Sequence, residues 1–134
     1  MALTADRNTR RREGVLATYK VAASTTIYAG SMVCINSSGY AVPAADTSGF
    51  KFVGVATERV DNSSGSDGDK NVVVQRKGTF AFTKDTPAIT DIGVSFYVKD
   101  DGEVQAVGDA TNNILVGVCV DIDTGTGEVW LEIG

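Results

Sequence analysis

Two stretches of equal length decide the fold: IYAGSMVCINSSGYAVPAADTSGFKFVGVATE, residues 27–58, and TDIGVSFYVKDDGEVQAVGDATNNILVGVCVD, residues 90–121. They align without a gap at a constant offset of 63, so that Gly30 falls on Gly93, Gly39 on Gly102, Asp46 on Asp109 and Val53-Gly54-Val55 on Val116-Gly117-Val118. Each copy reads as a Gly-led turn, a strand, a Gly turn, a second short strand, a polar connection and a strand carrying VGV. Each then makes a hairpin into a strand ending in Gly, NVVVQRKG or EVWLEIG. Aligned on those final glycines, the first copy's turn is seven residues longer.

Outward from the repeat, short β-favouring runs continue: GVLATYKV, TFAFT, SFYV and VQAV, separated by NSSG, VDNSSGSDGDK, KDDG and DTGTG. In the first run Val15, Ala17, Tyr19 and Val21 share one face, while Leu16, Thr18 and Lys20 share the other. No segment sustains a helical apolar period. About ten short strands predict an all-β body, a compact barrel or sandwich with a pseudo-repeat, over residues 15–134. Length allows one core: the chain has 134 residues, 43% hydrophobic, with 15 Gly and 2 Pro.

Charge divides the chain. Residues 1–14 carry Arg7, Arg10, Arg11 and Arg12 against Asp6 and Glu13, a net +2, and the rest carries −7, for −5 in all. An acidic body repels nucleic acid and anionic lipid, so neither is an expected partner. No apolar run reaches the length of a membrane span, and the Arg-bearing start lacks the hydrophobic segment of a signal peptide, which predicts synthesis in a cytoplasm. Ordering polar residues costs about 1–2 kcal/mol each of backbone entropy, which at ~25 cal/mol per Å² needs on the order of 40–80 Å² of apolar burial per residue. TADRNTRRRE cannot supply that against its own body. The opening therefore reads as an extended basic arm that orders in a partner's groove, with Arg7, Arg10, Arg11 and Arg12 as its binding residues.

Catalytic chemistry finds little foothold. His is absent, which removes Ser-His-Asp and Cys-His systems. Cys34 and Cys119 lie in apolar runs and read as buried free thiols. Asp61, Asp67 and Asp69 could supply oxygen ligands, but the twelfth position of a calcium loop is Val72, so residues 61–70 read as a solvated turn, tolerant of an insertion between Gly65 and Ser66, with no metal. Asp100 with Asp101, and Asp121 with Asp123, read as turn formers rather than an acid-base pair. Arg76 and Lys77 read as a solvent-facing pair beside Phe80 and Phe82 of the core. Trp130, the sole Trp, alternates out of phase with Val129, Leu131 and Ile133, which places it at a subunit interface or in a second layer.

The order from IYAGSMVCINSSGYAV through FVGVATERVDNSSGSDG to NVVVQRKGTFAF, with TADRNTRRREG before it, resembles tailed-bacteriophage capsid decoration, or cement, proteins. The resemblance implies a β-rich body, an N-terminal arm against the shell and a non-catalytic stabilising role on the outer capsid surface of the virion. The partner it implies is the major capsid protein, bound by a homo-oligomer, a trimer at local threefold positions first and a dimer at twofold positions second; no cofactor is implied. The other reading is a carbohydrate-binding or adhesin-like β-module, for which an exposed aromatic platform would be the discriminating feature.

Overall fold

The computed structural model describes residues 2, 4–7 and 14–134. The chain forms β1 (Leu16–Lys20), β2 (Thr25–Ile27), β3 (Met32–Ile35), β4 (Ala41–Pro43), β5 (Lys51–Ala56), β6 (Val60–Asn62) and β7 (Asn71–Gln75). It continues with β8 (Gly78–Lys84), a single 3-10 turn (Ile89–Asp91), β9 (Ser95–Val98), β10 (Glu103–Gln105), β11 (Leu115–Asp123) and β12 (Glu128–Ile133). The all-β expectation holds. The two strands that the sequence reading did not separate are β2 and β6, three residues each, which pair with each other.

The other ten strands build two five-stranded sheets of the same order. The first runs β1-β7-β5-β3-β4, and a parallel bridge between Val21 and Ala41 joins its outer strands at one end. The second is a closed barrel, β8-β12-β11-β9-β10, sealed by the parallel pair Val104–Lys84. The registers superpose at the 63-residue offset: Met32–Val55 and Val33–Gly54 correspond to Ser95–Val118 and Phe96–Gly117. The sealing bridges Val21–Ala41 and Lys84–Val104 correspond as well. Leu16–Gln75 matches Thr79–Glu132, where the last strands are offset by 57. The first copy's final turn is therefore longer by 63 minus 57, or six residues, rather than the seven obtained from the terminal glycines.

Glycine is required at the centre of each copy. A Cβ on Gly54 would overlap the Gln75 carbonyl oxygen, and one on Gly117 would overlap that of Glu132. The two VGV strands thus press against β7 and β12 at equivalent points, and Gly54 also holds φ at 151°.

Alternation along the strands sorts the side chains into two clusters. Val21, Val33, Ala41, Ala56, Val72 and Val74 fill the first sheet, with Ala17, Tyr19, Ile35 and Val53 against them. The positions of Ala17, Val33 and Val74 are occupied by the larger Phe80, Phe96 and Leu131 in the second barrel, while Tyr19 and Phe82 are matched in size. Small residues in the first sheet leave volume that Ile27 of β2 and Val60 of β6 fill, so the added ribbon substitutes for the larger rings of the second unit. Each fully buried Val, Leu or Phe contributes roughly 1.5–3 kcal/mol. Pro43 lies in β4, at the edge of the first sheet, where its missing N–H costs least.

The units are joined through apolar and polar contacts. Met32, Cys34, Ala44 and Val55, on the outward face of the first sheet, belong to the cluster of the second barrel. The Met32 N–H donates to the Asp101 carbonyl at 2.8 Å. Asp46 accepts from the N–H groups of Thr111 (2.8 Å) and Asn112 (2.9 Å) and from Gln105 Nε2 (3.0 Å). These bonds, that from Thr111 first, hold its carboxyl below the usual carboxylate range. Its repeat counterpart Asp109 donates its own N–H to Ala106 within a local turn.

Candidate functional surface

The polar clusters singled out in the sequence are absorbed by turns. Asp100 Oδ1 accepts from the Gly102 N–H, and Asp123 Oδ1 accepts from Gly125 and Thr126. Asp91 accepts from the Ala88 N–H and pairs with Lys84 at 2.7 Å. Burial alone would raise its pKa, and these contacts outweigh that and lower it. Among the described residues no group of three or more Cys, Asp or Glu has metal-holding geometry. Cys34 and Cys119 are buried and unpaired with each other, as expected, and burial pushes the Cys34 thiol up to about 11.

The turn at 61–70 departs from the reading as a free tip. Asn62 is buried, and its Nδ2 donates to the carbonyls of Ala22 (2.9 Å) and Ser66 (3.0 Å). Gly65 leaves no space for a Cβ beside Asn62 Oδ1, the Ser24 N–H donates to Gly65 O, and the Ala23 N–H donates to Asp67 Oδ1 at 2.7 Å. The loop is therefore fastened on the β1–β2 connection. A small-residue, Asp-rich loop resembles a solvated one in composition; the distinguishing signal was Asn62, whose carboxamide can satisfy several carbonyls at once.

The basic and aromatic residues separate. Phe82 is buried and Phe80 half-buried, while Arg76 and Lys77 are exposed. Arg7 is exposed and outside any strand; Arg10, Arg11 and Arg12 lie outside the described residues. Gly14 adjoins the Lys77 side chain, and Gly134 adjoins the same side chain. Tyr28, exposed, lies under the Arg59 guanidinium at 5.4 Å, and it belongs to the β2–β3 connection, in a different unit from Trp130.

Trp130 is exposed on β12, paired with Ala81 on one side and Asp121 on the other, with Val129 and Leu131 fully buried beneath. Beside it, β11 presents Leu115, Val118 and Val120 to solvent. A cleft of about 460 Å³ is lined by Leu115, Gly117, Val118, Glu132 and Gly134. Sequence reasoning found Trp130 but missed this surrounding face, because the LVGVCV run reads equally as a strand buried on both sides.

The fold defines an all-β protein whose carboxylates stabilise turns and whose second barrel leaves apolar side chains exposed on β11 and β12. The phage cement protein family matches residues 12–132, and the chain belongs to that family of capsid-stabilising proteins, which places it with the phage capsid. The match begins at Arg12 and so includes only the last of the four arm arginines. Comparison with curated proteins and with solved structures found no match.

Proposed function

We propose that this protein binds the outer surface of an assembled phage head and stabilises it, without catalysis, by bridging neighbouring subunits of the major capsid protein. Membership of the cement family over residues 12–132 carries the reading. Its mechanism is distributed binding area: internal pressure must break added contacts before the shell opens. A homo-oligomer, a trimer at local threefold positions first and a dimer second, gains effective concentration for each further subunit it touches. The arm, with Arg7, Arg10, Arg11 and Arg12, acts as an attachment device that orders on the shell, where each Arg–carboxylate bond contributes roughly 1.5–3 kcal/mol before ordering costs.

The test is co-sedimentation and imaging of the purified protein with undecorated heads, using the full chain and a variant lacking residues 2–13. Removing the arm weakens head binding at least tenfold, equivalent to about 1.4 kcal/mol, and leaves thermal stability nearly unchanged. Replacing Arg10, Arg11 and Arg12 by Gln reproduces part of the loss and reduces its salt dependence. Undiminished decoration by the truncated protein would make the arm a passive tail; no decoration by the full chain would refute the capsid reading.

A further inference from the structure

The two units share one strand order, but the matching faces of their sheets differ in cover. In the first unit the outward side of β3 and β5 is closed over: Val55 is 5% exposed and Ala44 3% exposed, and with Cys34 they join the cluster of the second barrel. At the 63-residue offset their counterparts are Val118, 41% exposed, Val107, 59% exposed, and the half-buried Tyr97. Phe52, packed against the same cluster, corresponds to Leu115, 54% exposed. Both copies are apolar at all four positions, but in the second unit the described residues leave Val118, Val107 and Leu115 uncovered. Val120 and Trp130 extend the bare face across β11 and β12. Exposed apolar side chains gathered on two paired strands, with a Trp at the Asp121 end of the set, mark an interaction site rather than scattered exposure.

We infer that this face, centred on Leu115, Val118 and Trp130, is the contact through which one copy of the chain binds a second copy. The first unit supplies the precedent: the equivalent face there is covered by a unit of this same fold. Charge agrees. Exposed Glu132 and Asp121 rim the face, and the two net-positive stretches of the chain, residues 1–14 and 70–84, meet at Lys77, whose side chain adjoins Gly14 and also Gly134 of the cleft. A second copy therefore brings cations to an acidic rim. A chain's own arm is a poor cover, because TADRNTRRRE offers polar groups where the face needs apolar area. The inference names an interface and does not depend on the capsid reading.

The experiment measures the mass of the purified full chain by sedimentation velocity and light scattering from about 1 to 100 μM. The unmodified protein gives a multiple of the 14.0 kDa protomer. The double variant L115D/V118D gives the single-chain mass with an unchanged β circular-dichroism spectrum, because both side chains already face water in the isolated chain. W130A weakens association at least tenfold. L16D, a charge on an exposed residue of the first unit, leaves association unchanged. A single-chain mass for the unmodified protein throughout that range, or an undiminished multiple for L115D/V118D, overturns the inference. If the unmodified protein is monomeric and L115D/V118D fails only to bind heads, the occupant is the shell instead. A multimer that does not decorate heads leaves this interface standing and refutes the capsid reading.

Discussion

Gly117→Ala tests the packing that both halves of the chain repeat. An added Cβ would overlap the Glu132 carbonyl oxygen and stand 2.9 Å from its carbonyl carbon and 3.3 Å from Ile133 Cγ2, all parts of the paired strand β12. Relief requires β11 and β12 to part by on the order of 1 Å, which costs roughly 1–3 kcal/mol as overpacking and about 1 kcal/mol more for each ladder bond lost. A loss of about 2–4 kcal/mol results. Gly54→Ala meets the Gln75 carbonyl in the same way, with its carbonyl carbon at 3.0 Å, and also forces Ala into φ 151°, which adds on the order of 1–3 kcal/mol. The assay is urea unfolding followed by circular dichroism. With an m-value near 2 kcal/mol/M, Gly117→Ala lowers the midpoint by about 1–2 M and Gly54→Ala by more. Gly102→Ala, which has no side-chain or backbone atom nearer than Asp100 Oδ1 at 3.9 Å, stays within about 0.5 kcal/mol of the unmodified protein. Because Met32, Cys34, Ala44 and Val55 of the first unit lie in the second unit's cluster, both destabilised variants should still unfold in a single transition. A Gly117→Ala midpoint equal to that of Gly102→Ala would refute the close-approach argument, and loss of half the signal in a separate step would refute the shared core.

Three further outcomes follow from particular contacts. The carboxyls of Asp46, Asp61 and Asp91 all have folded-state pKa values below their ordinary range, so the stability they provide is complete above about pH 4 and declines as pH falls through the folded values. Asp46→Asn should flatten that acid limb in thermal melts between pH 2 and 5, and an unchanged limb would remove Asp46 from the linkage. A short peptide inserted between Gly65 and Ser66 should lower the melting temperature by several degrees, because it separates Gly65 O from Ser24 and Ser66 O from Asn62; an unchanged melt would show that the loop is not fastened. A thiol reagent near pH 8 should modify Cys34 only on opening of the fold, so that at fixed reagent concentration the rate rises with denaturant, whereas a rate independent of denaturant would show that the thiol is reached in the closed fold.

Much of the architecture was legible because period-2 alternation and Gly spacing are local signals. Ala17, Tyr19 and Val21 enter the first cluster, Val129, Leu131 and Ile133 the second, and Trp130 faces away from both, as alternation alone requires. The missing pieces depended on partners distant in sequence. β2 and β6 are too short to show a period, and they exist because the first sheet's small core leaves volume for Ile27 and Val60. Asp46 and Asp109 are identical residues at equivalent positions; one bonds the opposite unit and the other does not, a difference that lies in the neighbouring chain and not in the residue.

The repeat also explains why binding surface was harder to read than fold. A duplicated unit keeps the same apolar pattern in both copies, so sequence cannot distinguish the copy whose outward face is buried within the chain from the copy whose face is left for another molecule. The distinction appears only when the second barrel is seen to cover Ala44 and Val55 while leaving Val107 and Val118 in water. If both faces were satisfied internally, the chain would present no such apolar area; one bare face gives it a surface that a second copy can cover as the second barrel covers the first sheet.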